Sequence, residues 1–239
     1  MRLVSLVPSL TELLFWLGAG DGVVGRTRFC IEPRREVERV PVVGGTKNPD
    51  IDLIAALAPD VVIANREENR REDVELLRER GIHVLVTEIF DLRSAEEVID
   101  ELGTLVGRTQ QARALVEQIE SARAAVQPTG VRVFVAVWRR PLLGLGQETF
   151  GDAIVTASGG ENVLSGHTRY PEVSVEAVRN LRPDLILLPD EPYRFGPQHV
   201  PEFAAIAPTE VVDGKLLWWY GPRVPSAIRS LHELFQRHA

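Results

Sequence analysis

The sequence predicts an α/β protein: two small lobes with mostly parallel sheets, joined by one long backbone α-helix, with a ligand cleft between the lobes. Three observations carry that reading. Leu57-Ala58-Pro59-Asp60-Val61-Val62-Ile63-Ala64 is echoed by Leu181-Arg182-Pro183-Asp184-Leu185-Ile186-Leu187-Leu188. Each copy reads as a helix end, a Pro-Asp turn and a short apolar run, the pattern of a buried parallel strand. Apolar runs alternate with helical segments on either side of the middle of the chain, as a parallel sheet faced by helices requires. From Ser94 to Gln127 there is no proline, and apolar residues recur at helical spacing.

In the first half, Leu3-Val4-Ser5-Leu6-Val7 reads as a strand ending at Pro8, with Ser9 and Glu12 forming a capping box for a helix over 10–17. Gly18 and Gly20 end it, and Val23-Val24 forms a short strand before the loop Arg26-Thr27-Arg28-Phe29-Cys30. Val42 through Pro49 reads as a strand and tight loop. A helix over 50–57 leads to strand 60–64, a helix over 70–80 and a strand over 82–86 after Gly81.

From Arg108, Ala112, Leu115, Val116, Ile119, Ala122 and Val126 mark one helix face, stopped by Pro128 and Gly130. A helix of about twenty residues is about 30 Å long, enough to run along both lobes. The second half repeats the grammar of the first. Arg132 to Val137 is a strand, Gly160-Glu161-Asn162-Val163-Leu164 resembles Gly20-Asp21-Gly22-Val23-Val24, and strand 185–188 precedes Asp190-Glu191-Pro192-Tyr193. Leu216 to Arg223 reads as a late strand and loop, and a closing helix starts near 225. The predicted division is an amino-terminal lobe over 1–107, a connecting helix over 108–128 and a carboxy-terminal lobe over 129–239.

A net charge of −7 argues against a general nucleic-acid binder, which shows a basic face. The single cysteine, Cys30, forbids an internal disulfide. No apolar stretch is long enough to span a bilayer. Pro8, Ser9, Thr11 and Glu12 interrupt the opening apolar run, so the sequence as it stands shows no export signal and reads as cytoplasmic, or as periplasmic if a leader has been removed.

The opening Val4-Ser5-Leu6-Val7-Pro8-Ser9-Leu10-Thr11-Glu12-Leu13, the Leu57-Ala58-Pro59-Asp60 strand entry and Gly159-Gly160-Glu161-Asn162-Val163 resemble the cobalamin-binding proteins of ABC importers. These belong to the helical-backbone metal-receptor class, the class III substrate-binding proteins, which also holds ferric-siderophore and haem binders. The resemblance runs through almost the whole chain in consistent order. It implies two α/β lobes on one rigid helix and a ligand held between them. It also implies cobalamin, haem or a ferric siderophore as cargo with no intrinsic cofactor, and an ABC transporter permease as partner. Acidic docking residues on each lobe would fall at Glu72 and Glu202. Where cobalamin binders commonly carry an aromatic residue after the Pro-Asp strand, this chain has Asn65 and the charged run Arg66-Glu67-Glu68-Asn69-Arg70.

In open α/β sheets ligands bind beyond the carboxyl ends of the strands. The ligand-binding candidates are therefore Arg26, Lys47, Asn65, Arg66, Glu67, Glu68, Trp138, Arg139, Arg140, Asp190, Glu191, Tyr193, Tyr220 and Arg223. Arginine presents a planar fork to carboxylates or phosphates, and Trp and Tyr offer flat faces for rings or cations. The competing structural readings are that Arg66–Glu191 or Arg139–Glu67 pairs lock the lobes together, and that Trp138 and Tyr220 are core aromatics. Cys30 reads as a packing residue.

No His or Cys spacing assembles a tetrahedral metal site, so none is assigned, although His167 or His199 could meet the metal of a bound cofactor. Gly44-Gly45-Thr46-Lys47 lacks the phosphate-loop spacing, and no nucleophile elbow occurs, so no catalytic residue is assigned. The expected function is non-catalytic binding of a small polar or metal-chelate ligand. A cytosolic carrier or sensor on the same fold is the alternative, ahead of an enzyme using Glu67 and Glu191 as paired carboxylates.

Overall fold

A computed structural model describes all 239 residues. The chain divides into two compact units. The first comprises Met1–Ile89, Ser94–Val116 and Tyr220–Pro222; the second comprises Phe90–Arg93, Glu117–Trp219 and Arg223–Ala239.

The first unit contains β1 (Leu3–Ser5), α1 (Pro8–Trp16), β2 (Val23–Arg26), α2 (Arg34–Val37), α3 (Ile51–Ala56), β3 (Val61–Asn65), α4 (Arg71–Glu79) and β4 (Val84–Thr87). Its sheet is parallel throughout, in the order β2-β1-β3-β4. Val4, Leu6, Val62, Ala64 and Val84 pack with Ile54, Val74 and Leu77 of the covering helices. Every residue of β3 is buried, which is why its sequence is continuously apolar up to Asn65 rather than alternating.

The helix α5 (Leu92–Leu105) and the helix α6 (Thr109–Ala124) follow, with the break at Val106-Gly107-Arg108 and Gly107 at φ +68°. A Cβ on Gly103 would lie 2.3 Å from that of Ala112, so glycine there lets the two helices meet closely. The helix expected from Arg108 is thus 16 residues long, about 24 Å, and the division between the units falls inside it.

The second unit contains β5 (Arg132–Trp138), β6 (Leu143–Gly144), α7 (Phe150–Ala157), β7 (Glu161–Asn162), α8 (Val175–Leu181), β8 (Leu185–Pro189), α9 (Val200–Phe203), β9 (Thr209–Val212), α10 (Lys215–Trp218) and α11 (Val224–Gln236). Parallel pairing runs β7-β5-β8-β9, the same order as in the first unit, and the short β6 adds antiparallel to β5. Phe134, Ala136, Ile186 and Leu188 of this sheet pack with Leu164, Val178 and Phe203.

Three expectations are corrected. The first strand ends at Ser5, and the helix after it begins at Pro8 with Val7 at its N-cap, not Ser9. Proline suits the first helical position because its φ is already helical and it has no amide to satisfy. Ser9 is thereby drawn into the first turn, where its Oγ is buried without a partner. Leu216 to Trp219 is not a strand: Lys215–Trp218 is a helical turn, started by the Asp213 carboxylate accepting from the Lys215 amide at 2.9 Å. The last strand is Thr209–Val212 instead, a half-exposed edge whose apolar content is too low to stand out. Val42 and Val43 make only an isolated bridge, Val42 with Arg26.

Candidate ligand-binding site

Parallel pairing brings Ser5, Arg26, Asn65 and Thr87 to one end of the first sheet. The loop after β3 is built by its asparagines. The Asn65 Oδ1 accepts from the Glu67 amide at 2.9 Å, an Asx turn, while the Asn69 Oδ1 accepts from the Asn65 amide at 2.8 Å. Asn69 Nδ2 donates to the Thr46 carbonyl at 2.9 Å, and the Asn65 amide group donates to Thr87 Oγ1 at 3.2 Å. Asn65 is 1% exposed, so this candidate shapes the loop from beneath. The side chains held above it are Arg66, Glu67 and Glu68. Arg66 pairs with Glu88 at 2.6 Å on the surface, and Glu68 accepts from the Tyr220 hydroxyl at 3.1 Å. Lys47 reaches the same loop, donating to the Glu67 carbonyl at 2.7 Å.

Arg26 is committed elsewhere. Its guanidinium donates to the carbonyls of Val37, Thr27 and Cys30 at 2.8 to 3.2 Å, fastening the loop after β2. Below that loop the Thr11 hydroxyl donates to the Cys30 sulfur at 3.0 Å, with Thr27 Oγ1 at 3.2 Å. Burial pushes the Cys30 thiol pKa up against those hydrogen bonds, which keeps it a neutral packing group. Phe29 in the same loop is half exposed, with the Arg28 guanidinium 5.6 Å from its ring centroid.

In the second unit the parallel strands end at Trp138, Pro189 and Val212. Trp138 is 40% exposed and meets Tyr193 edge to face at 5.4 Å. Tyr193 contacts Phe195 at 4.7 Å and His199 at 5.7 Å, making one aromatic cluster. The buried His199 accepts the Gly196 amide on Nδ1 at 3.0 Å, fixing its ring. Arg139 pairs with Glu202 at 3.0 Å, and Arg140 is exposed without an ion pair. The supposed locking partners are therefore replaced: Arg66 takes Glu88 and Arg139 takes Glu202, each within its own unit.

Asp190 Oδ1 accepts the Gly214 amide at 2.8 Å, and the Glu191 carbonyl accepts the Trp218 indole N–H at 2.6 Å. A Cβ on Gly214 would lie 2.4 Å from the Glu191 side chain and 2.9 Å from its carbonyl oxygen, so only glycine lets this loop close down. Burial raises the Glu191 carboxyl pKa, the neighbouring Trp219 indole opposes the shift, and its Oε1 is buried without a partner. Trp219 carries Lys215 at 5.2 Å and Arg223 at 5.3 Å from its ring centroid. Sequence reasoning did not single out Phe195 or Trp218; His199, expected only as a possible ligand to a bound metal, sits buried in the aromatic cluster instead. The Asp213-Gly214 pair was the available signal for the turn that brings Trp218 to this loop.

A periplasmic binding protein family model matches residues 3–202. The chain belongs to that family, whose members include substrate-binding proteins of importers. An uncharacterized ABC transporter substrate-binding lipoprotein of Bacillus subtilis (strain 168) is 30% identical over 203 residues. That alignment covers 79% of this chain and 63% of the relative, so the chain spans less than two thirds of that protein's length. The vitamin B12-binding protein of Pectobacterium carotovorum is 26% identical, over 80% of this chain and 72% of its own. Among solved structures, a periplasmic heme-binding protein from Roseiflexus sp. RS-1 in apo form superposes with a TM-score of 0.84 at 23% identity, covering 99% of this chain and 98% of that one. The periplasmic vitamin B12-binding protein of Vibrio cholerae gives 0.81 at 21%, covering 99% and 97%. These structures share the fold.

Proposed function

We propose that this protein is a non-catalytic ligand-binding protein, the substrate-binding component of an ABC importer. Its ligand is a small polar or metal-chelate compound of the cobalamin, heme or ferric-siderophore kind. The observation that carries this reading is Trp138, a large aromatic left 40% exposed at a strand end, braced edge-on by Tyr193 and flanked by Arg139 and Arg140. An exposed indole beside cationic forks suits a ring system bearing carboxylates or phosphates. Family membership and the relatives named as B12-binding support that ligand class.

In this reading the ligand-contacting residues of the second unit are Trp138, Arg139, Arg140 and Tyr193; in the first unit, taken by itself, Lys47, Arg66, Glu67 and Glu68 form the loops beyond its own sheet. Asn65 and Arg26 shape their loops, while Asp190, Glu191, Tyr220 and Arg223 position neighbours. The partner is a permease, with the exposed Glu72 and with Glu202 as docking acids, and the site of action is outside the cytoplasm.

The test is titration with hemin, cyanocobalamin and a ferric siderophore, read by tryptophan quenching and thermal shift. A ligand at a hundred times its dissociation constant stabilises the folded state by about 2.7 kcal/mol. Turnover of a substrate, with no stabilisation by any of the three, would overturn the reading.

A further inference from the structure

The side chain of Glu191 is folded inward under the turn at Gly214, and every group that meets it belongs to the second unit. Its Oε1 is buried with no hydrogen-bond partner, while the Trp219 indole supplies a hydrogen bond to the carboxyl group. The charged groups acting on it are Asp190 beside it and Asp213 and Lys215 in the turn. Asp190 and Asp213 already accept the amides of Gly214 and Lys215, at 2.8 and 2.9 Å. Lys215 and Arg223 lie against the Trp219 ring, 5.2 and 5.3 Å from its centroid. Burial raises the pKa of the Glu191 carboxyl; Asp190 and Asp213 add to the shift, and Trp219 and Lys215 oppose it.

A neutral carboxyl fits this place, but an ionised one leaves Oε1 as buried charge without a donor, next to two like charges. Rotation out to water relieves that. The same residue anchors its loop. The Glu191 carbonyl accepts the Trp218 indole N–H at 2.6 Å, and the Asp190 amide donates to the Val212 carbonyl at 3.1 Å. The Trp218 ring is itself seated tightly, since a Cβ on Gly151 of α7 would lie 2.7 Å from it. Two residues beyond Glu191, Tyr193 meets Trp138 edge to face at 5.4 Å.

The geometry points to Glu191 as a proton-operated latch on the loop after β8. Protonated, its side chain stays under Gly214 and holds Asp190 to Tyr193 against Trp218 and Trp219; ionised, it swings out to water and releases them. The latched state holds a proton that the released state gives up, so it gains as pH falls and is lost as pH rises. Release reaches the ligand face through Tyr193, the brace of Trp138, so ligand binding strengthens on acidification. That last step rests on the ligand-binding reading above; the latch does not.

The test of the latch is tryptophan fluorescence of the full chain without ligand, followed from about pH 4 to about pH 8, because both indoles bond to Glu191. Wild type should show a transition. Glu191→Gln, which keeps the shape but cannot ionise, should lose it and keep the acid spectrum throughout. Asp152 of α7 is a second carboxyl in this unit whose pKa burial raises, and Asp152→Asn should leave the transition in place. Asp213→Asn removes a repelling charge and should move the transition to lower pH; Lys215→Gln removes an attracting one and should move it to higher pH. Neither of those two side chains is buried, so the opposite shifts remain readable if Glu191→Gln fails to fold. A transition that survives Glu191→Gln, vanishes with Asp152→Asn, or is unmoved by both neighbours would overturn the inference.

Hemin, cyanocobalamin and a ferric siderophore are then titrated at about pH 5 and about pH 8. The one that binds should bind wild type more tightly at the lower pH and Glu191→Gln equally at both. If none binds while the transition depends on Glu191, the ligand reading fails and the latch stands. Equal affinity of wild type at both pH values would overturn the control of binding by the latch.

Discussion

The backbone amide of Arg2 donates to the Asp60 carboxylate at 2.6 Å, and the Asp60 amide returns a bond to the Arg2 carbonyl at 2.8 Å. The same exchange recurs between Arg132 and Asp184, at 2.9 and 2.8 Å. In each copy the arginine also caps the helix before the turn. Arg2 donates to the carbonyls of Leu57 and Ala58, and Arg132 to those of Leu181 and Arg182. Ala58 and Arg182 both take left-handed φ, at 45° and 50°, costing each about 1 kcal/mol. The capped carbonyls and the returned Asp bond offset that strain. The Pro-Asp phrase is therefore a strand-aligning clasp, and its arginine lies far away in sequence.

Asp60→Ala and Asp184→Ala should each lower stability by about 1 kcal/mol, measured by urea unfolding, because each leaves a strand-end amide without its carboxylate. The two pairs have no partner in common, so the double variant should lose the sum. A loss at only one site would show that the two clasps are not equivalent.

Asn69 is 6% exposed and bonds to Asn65, Leu6 and Thr46, joining three loops. Asn69→Ala should cost about 2–4 kcal/mol, since it strips partners from buried backbone groups. Arg66→Ala, whose ion pair with Glu88 is exposed, should change stability by less than about 1 kcal/mol. Equal losses from both, in the same chemical denaturation, would contradict the division between loop builder and exposed side chain.

Glu191 makes stability depend on pH in an unusual direction for a carboxylate. Burial raises its folded pKa, so the folded chain takes up a proton between the ordinary carboxylate value and the raised one. The stabilisation is full below that window and is lost as pH rises through it. Glu191→Gln removes the ionising group, so its melting temperature at about pH 8 should exceed that of wild type. Melting curves from about pH 4 to 8 check this: the gap between the two proteins should close on acidification, and a gap that widens would refute it.

Trp138→Ala should weaken hemin or cobalamin binding about tenfold with a melting temperature within about 2 °C of wild type, because the ring is 40% exposed and supports little of the core. Fluorescence titration and a thermal melt on the same sample separate the two effects. A large drop in melting temperature would make Trp138 a structural aromatic instead.

The buried strands were the most legible part of the chain. Val61 to Ala64 and Leu185 to Leu188 are apolar without interruption because both faces of each strand are covered, and such runs admit few other readings. Elements resting on weak or competing signals were misread. Ser9 and Glu12 imitate a capping box, but Pro8 takes the first helical position. Leu216 to Trp219 has the composition of a strand, yet with Gly214 at the N-cap and the Asp213 carboxylate on the Lys215 amide, Lys215–Trp218 winds into a helical turn.

The candidate site divides the same way. Position after a strand could be read directly, and it brought Arg66 to Glu68 and Asp190 to Tyr193 to the carboxyl ends of their sheets. What each side chain does there could not. Arg26, Asn65 and Arg139 look alike in sequence as polar residues beyond strands, but one bonds three carbonyls, one is buried under its loop, and one pairs with Glu202.

By itself the sequence determined the α/β grammar, the duplication and the places where loops leave the strands, because hydrophobic burial and turn chemistry act over a few neighbouring residues. Only the tertiary structure decided which polar side chains remain free for a ligand, since hydrogen bonds such as Tyr220 to Glu68 or Arg2 to Leu57 join residues that no local pattern connects. A polar group meets whatever partner the folded backbone brings within about 3 Å, and that distance is a property of the fold.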